Sequence, residues 1–283
     1  MGRFVNPFTD TGFKIIFGQE LSKPLLIDFL NSLFDGKEII IDISFLDKEK
    51  PRITKESRGI IYDIFCRTND NRNIIVEMQN KGQEFFIERS IYYVSEAISR
   101  QSKRGEWNYN FDAVYFVAFM NFALDTLTEF RTDVELCNTK TKKSITNKIK
   151  FIYLQLPYYT KSEEECRTNF ERWIYIFKNM EILDRMPWAA KSAVFQELSK
   201  IAEIANMTKS QRSKYDADLK IFRDTTNAID YAHKKGITEG KNEMVIEMLK
   251  NGYPIDVIAN ISKLPTDEIE RLRSSLNNDS IHR

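Results

Sequence analysis

The chain has 283 residues, 42% of them hydrophobic, which is enough to bury one full core and a second, smaller module. Lys and Arg number 42 against 41 acids, so net charge excludes nothing, and any charge signal has to come from local clustering. Cys66, Cys137 and Cys166 are too widely spaced for a disulfide framework or a zinc site and read as reduced thiols. His233 and His282 sit in polar or terminal settings, which leaves no Ser-His hydrolase or His-based metal constellation, and neither a P-loop nor a GxGxxG is present. The longest apolar runs, such as "FDAVYFVAFMNFAL", fall short of the roughly 20 residues of a membrane span. The opening "MGRFVNPFTDTGFK" lacks a signal-peptide core, so cytoplasmic residence without a membrane partner is expected.

In chain order, Thr11 to Phe17 and then "SKPLLIDFLNSLF" read as helices, the second with Ser22 as cap, Pro24 in the first turn, and Leu26, Phe29, Leu30 and Leu33 at helical spacing. "EIIIDISFL", "IIYDIFCRT" and "NIIVEMQ" read as three successive strands, the last two joined by the turn "NDNR". From Gln83 to Arg104 the period is helical, with an apolar stripe of Ile87, Ile91, Val94 and Ile98. Arg89, Tyr93, Glu96, Arg100 and Lys103 form a polar stripe opposite it. "FDAVYFVAFM" follows as a buried strand, and "FRTDVELC" with "IKFIYLQL" as a hairpin pair. Between Leu136 and Ser162 there is no acid, while Lys140, Lys142, Lys143, Lys148, Lys150 and Lys161 are present. That tip suits nonspecific phosphate contact or protection of a sheet edge.

Beyond Pro157 the pattern is helical, starting at "SEEE", where Ser162 and Glu165 have capping-box spacing. The expected organisation is an α/β domain over 1–160, a helical region over 161–232 and a helical tail over 233–283, the last boundary marked by "AHKKGITEGKN". The tail has helix-turn-helix rhythm. However, "PTDEIERLRSS" puts acids where a recognition helix meets DNA, which favours assembly, such as a homo-oligomer, over base reading.

Asp63 and Glu77 stand inside apolar strands, where an unpaired acid costs several kcal/mol. A divalent cation compensates such a pair: two carboxylates from neighbouring antiparallel strands form the oxygen-rich half-shell that Mg²⁺ accepts, which suits phosphodiester hydrolysis. The alternative is an exposed-face pair on a half-solvated hairpin. Register separates the two readings. A three-residue turn at Asn69, Asp70 and Asn71 sets Asp63 opposite Glu77, whereas a two-residue turn at Asp70 and Asn71 sets it opposite Met78 and parts the carboxylates.

"YDIFC" followed by "IIVEMQNK" resembles the D…ExK/ExQ signature of the PD-(D/E)xK nuclease superfamily, and more narrowly its Rpn group, the recombination-promoting nucleases of bacteria. "DTGFKIIFG", "LLIDFLNSLF", "ERSIYYVSEAI" and the tail from "KKGITEGKNEMVIEMLKNGYPIDVIANISKLPTDEIERL" extend the resemblance over nearly the whole chain. It implies a restriction-endonuclease-like mixed α/β sheet flanked by helices and followed by an all-helical C-terminal region. It also implies an Mg²⁺-dependent endonuclease of low sequence specificity acting on DNA, with Mn²⁺ able to substitute, linked to recombination or mobile elements. Asp63 and Glu77 would be its metal ligands. Gln79 replaces the usual lysine and supplies hydrogen bonds but no charge. Lys81, on the same face if the strand continues, and Arg89, on the following helix, are candidates for the missing cation. Glu20 is a candidate third acid, although a place before a helix start explains it equally, and capping the first helix explains Asp10. The rival expectation is an inert DNA-binding or assembly protein that keeps the fold without the chemistry.

Overall fold

Runs of β-branched and aromatic residues separated by turn residues build one mixed six-stranded sheet. The computed structural model describes residues 2–36, 39–47, 49–50, 60–102 and 108–281, with the side chains of 49, 50, 60 and 277–281 excluded. Glu38, Lys103, Arg104 and His282 therefore lie outside the described residues. The chain divides into two compact units, Met1–Leu219 and Lys220–Arg283.

In the first unit, α1 (Asp10–Phe17) and α2 (Lys23–Leu33) precede β1 (Ile43–Phe45), the short pair β2 (Glu49–Lys50) and β3 (Ile60–Ile61), then β4 (Ile64–Thr68) and β5 (Asn73–Gln79). Next come α3 (Phe86–Ser99), β6 (Val114–Met120), β7 (Arg131–Glu135), β8 (Ile149–Gln155), α4 (Asn169–Asn179) and α5 (Ala193–Ala202). The strand order is β1-β4-β5-β6-β8-β7, with β6 parallel to β5 and β8 and the other pairs antiparallel. The three expected strands β1, β4 and β5 are present. The expected strand "IIYDIFCRT" divides in two: Ile60 and Ile61 pair as β3 with β2 in a separate sheet, and β4 begins at Ile64.

Because alternate residues of a strand face opposite sides, the sheet has two cores. One face takes α1, α2, α4 and α5 through Phe13, Phe17, Phe29, Phe119, Trp173 and Phe177. The other takes α3 through Tyr62, Phe65, Ile75, Phe86, Val94 and Phe116. Each buried aromatic or aliphatic side chain contributes about 1.5–3 kcal/mol, so both faces are held firmly.

Local signals decide the helix starts. Thr9, and not Asp10, caps α1: its Oγ1 accepts from the Gly12 amide at 3.0 Å, and Asp218 accepts from the Thr11 amide at 3.0 Å. The box expected at Ser162 and Glu165 is half made, the Ser162 amide donating to Glu165 at 2.8 Å. The complete box is Thr168 with Glu171, one turn before the apolar stripe of α4. Desolvation works to raise the Glu171 carboxyl, but Lys161 and the amides of Thr168 and Arg167 outweigh it and bring it down to about 2.

The second unit comprises α6 (Lys209–Lys250) from residue 220 onwards, α7 (Ile255–Ser262) and α8 (Thr266–Ile281), packed around Val245, Ile258 and Ile269. Lys263 takes a left-handed φ of 57° between α7 and α8. Helix α6 runs through Gly236 and Gly240 without a break, and residues 227–240 are exposed throughout. No described helix is long and apolar enough to cross a membrane.

Candidate active site

The turn between β4 and β5 sets the site. Thr68 donates its amide to the Arg72 carbonyl at 2.9 Å across Asn69, Asp70 and Asn71, and Asn71 takes the left-handed φ of 67° that closes a three-residue turn. Cys66 then pairs with Ile74, Phe65 with Ile75, and Ile64 with Val76. Continued by one residue, that register puts Asp63 opposite Glu77, with both on the α3 face of the sheet.

The two acids are interlocked. The Asp63 amide donates to Glu77 Oε1 at 3.1 Å, and the Met78 amide donates to Asp63 Oδ2 at 2.9 Å. Gln79 Nε2 donates to Glu77 Oε2 at 3.3 Å. Glu77 is 2% exposed, while Asp63 sits half-buried at the bend before β4. Burial, and then the neighbouring Asp63 charge, push the Glu77 carboxyl well above the usual carboxylate range; Arg89 and the hydrogen bonds from Asp63 and Gln79 oppose this. Burial also raises Asp63, against the Met78 amide and the charges of Lys14 and Arg89 and with the charge of Asp10. The pair is therefore short of positive charge.

The structure places the remaining candidates as follows. β5 ends at Gln79, so the alternation that would bring Lys81 to the same face stops two residues short, and Lys81 lies half-buried in the bend beyond. Arg89 is on the first turns of α3, its guanidinium 5.2 Å from the Phe86 ring and 5.6 Å from the Tyr93 ring, with Nη1 donating to Gln83. Its Nη2 is buried and has no hydrogen-bond partner among the described residues. Glu20 is exposed and paired with Lys23 at 2.6 Å. Sequence reasoning missed Lys14, which pairs with Asp10 at 2.5 Å one turn along α1. Helix α1 packs over this end of the sheet, Phe13 lying 6.0 Å from Phe119, which is the register partner of Met78. The i, i+4 spacing of Asp10 and Lys14 was visible, but its nearness to Asp63 is tertiary.

The polar stripe of α3 is not a solvated face. Arg89, Tyr93, Glu96 and Arg100 are all half-buried, whereas Ile91, expected on the buried stripe, is 50% exposed. Tyr62 donates its hydroxyl to the Tyr93 carbonyl at 3.2 Å and stacks edge-on to that ring at 5.4 Å, and Arg100 lies 5.0 Å from the Tyr62 ring. A line of guanidinium and phenol groups thus runs beneath α3 from the acids towards its C-terminal end.

The mixed sheet flanked by helices and the all-helical C-terminal region have the restriction-endonuclease-like architecture. The family model described as PD-(D/E)XK nuclease family transposase matches residues 7–232, and the chain belongs to that family. No curated protein and no solved structure matches the chain. Among the described residues, no group of three or more His, Cys, Asp or Glu side chains is placed to hold a metal ion.

Proposed function

We propose that the protein is a metal-dependent DNA endonuclease of low sequence specificity, of the recombination-promoting (Rpn) kind, with Asp63 and Glu77 as its metal ligands. The observation that carries this reading is the interlocked, charge-deficient pair at the β4–β5 register. Two hard-oxygen ligands are sufficient for Mg²⁺, which is commonly held by one or two carboxylates, waters and substrate phosphates rather than by a closed protein cage. The main-chain and Gln79 hydrogen bonds leave lone pairs on both carboxylates for that purpose. Bound Mg²⁺, or Mn²⁺ in its place, supplies charge neutralisation and an acidified water.

The chain's own groups do the rest. The Asp63 amide holds the Glu77 carboxylate, and the Met78 amide holds that of Asp63. Gln79 orients the Glu77 carboxylate, and Lys14 and Arg89 contribute the positive field that a lysine at position 79 would have given. The unpartnered Nη2 of Arg89 is a ready donor for a phosphate oxygen. Lys81 remains a second candidate cation from the segment after β5. Of the two acids before the sheet, Asp10 is favoured over Glu20 as a third carboxylate because its charge already acts on Asp63. The helical C-terminal unit is assigned to homo-oligomer assembly, supported by the exposed Ile229, Tyr231 and Ile237 of α6.

Incubation of supercoiled plasmid with Mg²⁺, Mn²⁺ or EDTA tests this reading: relaxation with either metal and none with EDTA supports it. Intact plasmid under every condition would favour the inert scaffold, which lacks a lysine at position 79.

A further inference from the structure

A cleft of about 1020 Å³ opens between the C-terminal end of α3 and the sheet, lined by Arg67, Asn73, Arg100, Gln101 and Asp112 over the Phe65 ring. Its donors are under-used. Among the described residues, Nε of Arg67 and both Nε and Nη2 of Arg100 are buried without a hydrogen-bond partner. Arg67 pairs with Asp112, and Arg100 Nη1 donates to the Asp47 carbonyl at 3.1 Å. Among the described lining residues, two guanidinium groups thus face one carboxylate. A buried donor left without an acceptor is destabilising, so three at one place mark a surface organised for an acceptor that brings several oxygens and negative charge. The Arg67 side chain is 41% exposed, which leaves the cleft reachable.

Phosphate fits these donors, because planar guanidinium forks match its oxygens. The cleft also has a fixed relation to the acids. Asn73 and Glu77 lie on the same face of β5 four residues apart, roughly 13 Å at about 3.3 Å per residue, which is close to the axial rise of about four nucleotides. The line Arg89, Tyr93, Tyr62, Arg100 joins the two places. We propose that the cleft is a second phosphate site, taking a backbone phosphate of the strand whose other phosphate lies at the Asp63–Glu77 pair. The choice of a nucleic-acid strand over a free anion rests on the nuclease reading above.

The test is binding of a short labelled duplex in EDTA, where no cleavage intervenes, across a salt series for the wild type, Arg100→Gln, Arg67→Gln and Asp112→Asn. Loss of one phosphate contact lowers the slope of log K against log salt by about 0.9. Each arginine variant should show that change, and Asp112→Asn, which removes the competing carboxylate, should bind more tightly, a gain that misfolding cannot produce. Duplex binding by the wild type with unchanged slopes in both arginine variants would overturn the cleft assignment, whatever the plasmid assay shows. A parallel calorimetric titration with inorganic phosphate separates the sources. Phosphate binding lost in Arg100→Gln while duplex binding is untouched would make the cleft a free-anion site and overturn the strand assignment. Altered slopes in a protein that never nicks plasmid would instead uphold the cleft and refute the nuclease reading.

Discussion

Asp63 and Glu77 face each other across the β4–β5 pair, the amide of the first held by the carboxylate of the second at 3.1 Å, so Glu77 cannot turn away without giving up that hydrogen bond. The pair carries an electrostatic cost in the metal-free protein.

The raised Glu77 carboxyl keeps its proton in the folded state at pH values where the unfolded chain has lost it. Stability is therefore full below the ordinary carboxylate range and falls as pH rises through the shifted value. Glu77→Gln keeps the acceptor oxygen and removes the titration. In EDTA it should melt above the wild type at pH 8, with the difference vanishing near pH 4. Each kcal/mol relieved moves the midpoint by about 2–4 °C for a protein of this size. Equal midpoints at pH 8 would mean that Glu77 carries no repulsion.

Lys14 and Arg89 act on the acids from opposite layers of the fold, α1 and α3. Arg89→Ala should lower the single-turnover cleavage rate on the order of 10²-fold, the typical loss for one preorganised donor. Lys14→Gln combined with Asp10→Asn removes that ion pair together and should leave the metal dependence shifted to higher concentration. Lys81→Ala should have the smaller effect, and Gln79→Lys should retain or raise the rate. A larger loss for Lys81→Ala than for Arg89→Ala would move the cationic role to the segment after β5.

Asn71 is exposed and left-handed at φ 67°, so its contribution to the register is a backbone one. Asn71→Gly should be neutral or slightly stabilising, and Asn71→Val should cost about 1–2 kcal/mol in denaturant unfolding. Equal stability of both variants would show that the turn does not set the pairing.

The register was legible because a turn of Asn69, Asp70 and Asn71 offers few closures and one of them aligns two acids on a single face. The apolar strands were legible for the same local reason. The two faces of α3 were not, because Ile91 and Arg89 sit in stripes that are both regular, and only packing against Tyr62 and Phe116 shows which one looks at the sheet. Lys14 was hidden by distance in sequence: nothing in "DTGFKIIFG" says that α1 covers the end of β5. Gly236 and Gly240 look like a break, yet each costs only about 1 kcal/mol in a helix whose other residues are mostly good helix formers. At α4, Ser162 and Thr168 both match a capping box, and only Thr168 stands directly before the buried stripe of Trp173, Ile174 and Phe177.

If these two carboxylates are the catalytic pair, single-turnover nicking of supercoiled plasmid across a Mn²⁺ titration depends on both. Wild type, Asp63→Asn and Glu77→Gln should be purified identically and checked for matching secondary structure. The wild type should nick the plasmid in a metal-dependent manner, and neither variant should nick it at any Mn²⁺ concentration. Nicking by both variants at the wild-type rate would remove Asp63 and Glu77 from catalysis.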